Sequence, residues 1–210
     1  MTKNLPKSCK VVVIGGGVIG CSVVYHLAQF GWKDVILLER DQLTSGTTWH
    51  AAGLVSQLGP TAAVTKIRKY TLDLYKKLEK EVDHSAGLRL NGALSVAQTN
   101  HRWQELLRQA TTAQLYDVDV QILDKKTIKK KYPLIHTDDL KGGILMPGDG
   151  AADPSGVTHM LAKGAKQEGA KIFEKSPVDK ILIKNGRVSG VRLNGQDLSL
   201  IHISEPTRPY

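Results

Sequence analysis

The stretch Lys10-Val-Val-Val-Ile-Gly-Gly-Gly-Val-Ile-Gly20 sets a short apolar run directly against a cluster of glycines. Its lysine-flanked start, and Val18-Ile19-Gly20-Cys21 after it, imitate a secretory signal. Gly15, Gly16 and Gly17 argue otherwise, because each glycine costs a helical segment about 1 kcal/mol relative to alanine. A buried strand over Lys10 to Ile14, of the continuously apolar kind found in parallel sheets, followed by a glycine turn, fits better. From Val18 to Phe30 the apolar residues Val23, Val24, Leu27 and Phe30 recur at helical spacing, and Gly31 ends the run. Asp34 to Glu39 then reads as a second parallel strand, with an acid at its carboxyl end about 20 residues beyond the last fingerprint glycine.

Strand, Gly15-x-Gly17-x-x-Gly20, helix, strand and terminal acid together form a dinucleotide-binding fingerprint. Gly15 permits the tight turn, Gly17 lets backbone N–H groups approach a pyrophosphate, and Gly20 lets helix and strand pack closely. The helix N-terminus, at Val18 and Ile19, faces the phosphates. Glu39, with Arg40 beside it, is placed to accept hydrogen bonds from ribose hydroxyls, and its charge would repel the 2′-phosphate of NADP. The fingerprint by itself does not separate NAD from FAD.

With 210 residues, 41% hydrophobic and 23% charged, the chain is neither disordered nor collagen-like, and two cysteines make no disulfide framework. The net charge of +9 is scattered except at Lys125, Lys126, Lys129, Lys130 and Lys131, expected to be one solvated helix face. Aromatic residues are only 5%, and no zinc-finger, RNP or arginine-rich pattern accompanies the lysines, which argues against nucleic acid. Cys9 and Cys21 lack a CxxC spacing and the histidines lack HxxxH, so no metal is expected and a reducing compartment is.

After the second strand comes Leu43-Thr-Ser-Gly-Thr-Thr-Trp-His-Ala-Ala-Gly-Leu54. This segment, with the fingerprint, Lys131-Tyr-Pro-Leu134 and Met146-Pro-Gly-Asp-Gly-Ala-Ala-Asp-Pro154, resembles the flavin-dependent dehydrogenases of dimethylglycine and sarcosine, within the D-amino acid oxidase superfamily. The resemblance implies an α/β fold: a Rossmann-like, glutathione-reductase-like FAD-binding domain with an inserted, incomplete α+β substrate domain. It implies oxidation of an N-methylated glycine by hydride transfer to flavin N5, with an electron-transfer flavoprotein or oxygen as acceptor. By position His50 is the residue this family joins covalently to the flavin 8α carbon; the alternative is that it packs beside Trp49. Thr44, Ser45, Gly46 and Thr47 suit the flavin diphosphate and ribityl chain, or an ordinary turn, and Ala52, Gly53 and Leu54 complete the motif. The Val178 position lies against the adenine in related flavoproteins, and is equally a buried strand residue. The family's catalytic residues and, in some members, a tetrahydrofolate-binding domain lie beyond this stretch, so no catalytic residue is named. Two other readings are a non-catalytic regulatory relative and another amino acid oxidase with non-covalent FAD.

Helices are expected over Thr61 to Glu81 through Ile67, Tyr70, Leu74 and Leu78, over Arg102 to Tyr116, over Lys125 to Tyr132, and from Asp153-Pro154 to Gly169. Leu88 to Ala97 looks strand-like around an Asn-Gly turn, and Asn185-Gly186 signals a hairpin between Pro177 to Ile183 and Arg187 to Leu193. The expected division is a first FAD-binding segment, 1–85, a substrate-domain segment, 86–150, and a second FAD-binding segment, 151–197. Residues 198–210, beginning Leu198-Ser-Leu-Ile-His, resemble a translated sequencing adapter and are expected to be a non-native tail on a truncated reading frame. No membrane span is expected; the cytoplasm is, or the mitochondrial matrix were a presequence missing.

Overall fold

A computed structural model describes residues 5–200. In chain order the elements begin β1 (Ser8–Cys9), β2 (Val11–Ile14), α1 (Val18–Gln29), β3 (Val35–Leu38), a single 3-10 turn (Thr48–His50), β4 (Leu54–Val55) and α2 (Ala62–Glu81). There follow β5 (Ala93–Ala97), α3 (Asn100–Leu115), β6 (Gln121–Leu123), α4 (Lys125–Lys131), β7 (Gly142–Met146) and β8 (Gly150–Ala151). The chain closes with α5 (Pro154–Gln167), β9 (Lys171–Phe173), β10 (Lys180–Lys184), β11 (Arg187–Leu193) and β12 (Gln196–Leu200).

The chain divides into two compact units. The first comprises Met1–Ala52, Leu78–Ala86 and Pro154–Tyr210. Its parallel sheet runs β2-β3-β9, with Val11 opposite Val35 and Ile14 opposite Leu38. Every residue of β3 is buried, as its unbroken Val-Ile-Leu-Leu run requires. The helix α1 is where it was expected, but its buried face is Cys21, Val24, Tyr25 and Ala28. Val23 and Phe30, expected on that face, are exposed. Small residues decide the packing: a Cβ on Gly164 of α5 would stand 3.0 Å from the Tyr25 ring, so α5 lies directly against that aromatic side chain.

A second sheet in this unit has the order β1-β12-β11-β10. Its antiparallel strands are joined by two Asn-Gly pairs in the left-handed region, Asn185 (φ 53) with Gly186 (φ 74) and Asn194 (φ 48) with Gly195 (φ 76). That is the backbone of the two-residue hairpin turn whose twist matches paired strands. Cys9, Ile36, Leu38, Val191, Leu193 and Leu198 share one apolar cluster. Leu198–Leu200 of the expected tail thus stand in β12, and residues 201–210 lie outside the described residues.

The second unit comprises Gly53–Lys77 and Gly87–Asp153. It holds an antiparallel sheet, β5-β7-β6, and the short pair β4-β8. Pairing of Leu54 with Ala151 and of Val55 with Gly150 groups residues 53–77 here, so the compact units divide the chain at a different place from the sequence boundaries. Within Leu88 to Ala97 only Ala93–Ala97 is strand; Gly92 sits at φ 85 and Arg89 makes a lone bridge to Ala151, so the Asn-Gly pair turns the chain without forming a hairpin. Thr99 caps α3 by accepting from Arg102 N, and Asp124 caps α4 by accepting from Thr127 N at 2.8 Å. On α2, Leu74 and Leu78 are buried as expected, while Ile67 and Tyr70 are exposed and Thr65 and Leu72 are buried instead. The α4 lysines are exposed as expected, and two of them donate to nearby carbonyls, Lys125 to Asp138 and Lys129 to Pro133 and Ile135. Among the described residues no helix is long and apolar enough to cross a membrane, and no three metal-ligating side chains cluster.

Candidate functional site

The glycine turn of the first unit leads from the end of β2 to the start of α1. Gly15, at φ 110, donates its N–H to Leu38 O across the parallel pair at 2.9 Å. A side chain at Gly20 would collide with the Gly15 carbonyl, so this position holds the helix against the strand end as the spacing implied. Gly16 N donates to Glu39 Oε2 at 2.6 Å, and Asp41 N donates to Glu39 Oε1 at 2.9 Å. Each oxygen of this buried carboxylate therefore takes one backbone N–H and keeps acceptor capacity for another donor.

The first turn of α1 has no side-chain cap from its own N-cap residue, Gly17. Thr48, thirty positions along the chain, takes that part: its Oγ1 accepts from Val18 N at 3.0 Å, and the residue is 7% exposed. Gly17 has a second duty as a result, since a Cβ there would stand 3.0 Å from the same hydroxyl. With Gly16 and Val18 engaged, the N–H groups of Gly17, Ile19 and Gly20 carry no hydrogen bond among the described residues. Free amides at a helix N-terminus, where the helix dipole is positive, suit a negatively charged group.

The segment after β3 is held to the glycine turn at both ends. Leu43 covers Gly16, where an added Cβ would lie 2.6 Å from Leu43 Cδ2, and Leu43 N donates to Glu174 Oε1 at 2.7 Å. Thr44 N donates to Gly16 O at 3.0 Å, and Thr44 adopts φ 72, a left-handed conformation that β-branched residues rarely take. Ser45, Gly46 and Thr47 between these ties are exposed. His50 N donates to Thr47 O at 3.2 Å in the 3-10 turn, and the His50 and Trp49 rings stack with centroids 3.7 Å apart at 36°. Both rings are exposed to solvent.

The first unit thus contains Gly15, Gly17, Val18, Ile19, Gly20, Glu39, Thr44, Ser45, Gly46, Thr47 and His50 of the expected residues, with Arg40 exposed and Ala52 at the unit's end. Val178 lies in the same unit, packed on the apolar cluster of the second sheet just before β10. Gly53 and Leu54 belong to the second unit, where Gly53 O accepts from Ala152 N. Thr48 and Glu174 were missed. Neither gave a signal, since Thr48 meets Val18 N and Glu174 meets Leu43 N only through the fold. Cys21, beside the glycine turn, is pushed up to about 12, first by burial and then by the charge of Glu39, so its thiol stays neutral and is no nucleophile.

These features, a glycine turn with three free amides among the described residues and an acid closing the second strand, are the parts of the dinucleotide-binding fingerprint that the sequence spells out. Residues 10–201 match the family described as FAD dependent oxidoreductase, and the chain belongs to that family. It is 39% identical over 183 residues to mitochondrial sarcosine dehydrogenase of Homo sapiens, covering 87% of this chain and 20% of that protein. It is 37% identical over 169 residues to mitochondrial dimethylglycine dehydrogenase of Rattus norvegicus, covering 80% and 20%. Among solved structures it superposes on L-proline dehydrogenase from P. horikoshii with a TM-score of 0.85 at 27% identity, over 93% of this chain and 52% of that one. The chain spans about a fifth of the length of the curated relatives it matches.

Proposed function

We propose that this chain binds the adenosine diphosphate half of FAD for a dehydrogenase or oxidase acting on the C–N bond of an N-methylated glycine, sarcosine or dimethylglycine. The observation that carries it is the set of free N–H groups at Gly17, Ile19 and Gly20 beside the Glu39 carboxylate, in a chain of this family. Glu39 would accept the ribose hydroxyls with the acceptor sites its two backbone donors leave, and its negative charge would exclude a 2′-phosphate. The three amides would hold the diphosphate, with Thr44, Ser45 and Thr47 hydroxyls and the Gly46 backbone as further donors. Bound FAD supplies a two-electron acceptor for oxidation at the carbon beside the substrate nitrogen. His50 would tether the flavin through a ring nitrogen, with Trp49 stacked on it to limit its rotation. The substrate is a small N-methyl amino acid, the final acceptor an electron-transfer flavoprotein or oxygen, and the compartment the cytoplasm or the mitochondrial matrix.

The test is to express the protein with riboflavin supplied, precipitate it with acid and follow flavin fluorescence. Flavin that stays in the pellet, and leaves it in His50→Ala, supports the tether. Flavin released to the supernatant keeps the FAD site and removes the covalent bond. No flavin in either fraction, with no binding of added FAD, overturns the proposal in favour of a non-catalytic member of the family.

A further inference from the structure

We infer that the cleft between α4 and the turn at residues 133–138 is a binding site for an anion bearing two or more phosphate groups. The cleft lies wholly in the second unit and does not depend on the cofactor reading. It has a volume of about 610 Å³ and is lined by Lys125, Lys126, Lys129, Lys130, Thr137 and Asp138, so four ammonium groups meet one carboxylate. Two of the four are set in place before any ligand arrives: Lys125 Nζ donates to Asp138 O at 2.8 Å, and Lys129 Nζ to Pro133 O at 2.9 Å and Ile135 O at 3.0 Å. Lys126 and Lys130 are exposed and make no hydrogen bond among the described residues. The acid nearest in sequence, Asp124, is engaged in capping the helix at Thr127 N.

Thr137 is an independent sign of a ligand. It is only 9% exposed, and its hydroxyl carries no hydrogen bond among the described residues. A buried hydroxyl left without a partner lowers stability, and a ligand oxygen would complete it. The helix is unfavourable by itself as well: Lys125 with Lys129, and Lys126 with Lys130, are like charges four residues apart, and α4 contains no acidic residue to offset them. A bound anion relieves both. Lysine meets phosphate as a point charge, whereas two-pronged recognition of a carboxylate calls for arginine. Among the described residues no aromatic ring lines the cleft, so nothing in it stacks on a nucleobase. Leu134, between the two carbonyls that Lys129 holds, is fully exposed and offers an apolar contact to a phosphate carried by a lipid. The shared chemistry is phosphate, from a free polyphosphate or from an anionic lipid headgroup.

The probes are inorganic tripolyphosphate, titrated calorimetrically into the chain, and co-sedimentation with vesicles of equal parts phosphatidylcholine and phosphatidylglycerol, against phosphatidylcholine alone. Tripolyphosphate should bind, about five- to thirtyfold more weakly to the double variant Lys126→Gln/Lys130→Gln. Thr137→Val should weaken it about three- to tenfold without lowering the melting temperature, since the hydroxyl removed had no partner; Thr137→Ala replaces it should the valine variant fail to fold. Lys180→Gln/Lys184→Gln, which removes the same charge from exposed positions of β10, should bind within about twofold of the unsubstituted chain. Tripolyphosphate binding without vesicle binding assigns the site to a free anion, and sedimentation with the charged vesicles that needs Lys126 and Lys130 assigns it to a lipid headgroup. Binding of neither probe would overturn the inference. So would equal weakening in the β10 variant, or unchanged tripolyphosphate affinity in either cleft variant.

Discussion

Gly20→Ala separates two opposed effects at one position. In the first turn of a helix, alanine is favoured over glycine by up to about 1 kcal/mol, so intrinsic propensity alone predicts a more stable protein. The structure predicts the reverse, because the new methyl group would overlap the Gly15 carbonyl oxygen, with the carbonyl carbon 3.1 Å away and Leu37 Cδ1 at 3.6 Å. The obstruction is backbone, which no rotamer change can relieve. Relief requires α1 to retreat from the end of β2 by about 1.4 Å to restore an ordinary contact near 3.3 Å. That movement would loosen the packing of Cys21, Val24, Tyr25 and Ala28, the buried face of the helix. Overpacking of this kind costs about 1–3 kcal/mol, and the rigid obstacle places it at the upper end, leaving a net loss of about 2 kcal/mol after the helix gain. Urea unfolding followed by far-ultraviolet circular dichroism measures it, with Gly46→Ala as a control, since nothing lies within 4 Å of a Cβ at Gly46. Equal or greater stability of Gly20→Ala would refute the close approach of helix to turn.

Three further outcomes are expected. Glu39→Gln leaves one of the two backbone donors, Gly16 N or Asp41 N, facing an amide N–H, and should lower stability by about 1–3 kcal/mol; calorimetry should also show weaker binding of adenosine and ADP alike. Cys9 and Cys21, raised to about 11 and about 12 chiefly by burial, should resist alkylation at pH 8 until denaturant is added; their folded pKa values lie above the ordinary thiol value of 9.0, so the stability from keeping them neutral is complete below pH 9.0 and is lost as pH rises toward 12, which a pH series of melts would show. Gly186→Ala has free space around it but sits at φ 74, so the loss of about 1 kcal/mol in a urea titration should come from the backbone alone.

Local pattern carried the strand, turn and helix of the candidate cofactor site, because the apolar runs, the glycine spacing and the terminal acid all fall in one continuous stretch, Val11 to Glu39. The glycine spacing implied both the φ 110 turn at Gly15 and the close approach at Gly20, which a side chain would prevent. The buried face of α1 was less legible: Val23 and Val24 are equally apolar in sequence, and only contact with α5 through Gly164 and Tyr25 decides between faces. Thr48 was illegible for a different reason. Its partner is Val18 N, and no periodicity links positions 30 apart. The pairing of Leu54 with Ala151 likewise depends on residues far apart in the chain, which is why the compact units divide where no composition change occurs. One of two equivalent signals was used: Asn185-Gly186 was recognised as a hairpin and Asn194-Gly195, with the same backbone, was not.

The tie of Thr44 to Gly16 and of Thr48 to Val18 makes the loop between them a measured span. Its two anchor points on the glycine turn are two residues apart, while the loop itself crosses from one to the other in four steps. Replacing Ser45, Gly46 or Thr47 alters what the loop presents and leaves both anchors in reach. Inserting or deleting a single residue there would force one anchor to let go, whatever the inserted residue was. Natural variation in this segment should therefore run through identity and spare length, so that a census of related sequences would find many substitutions at its centre and a constant count of residues across it.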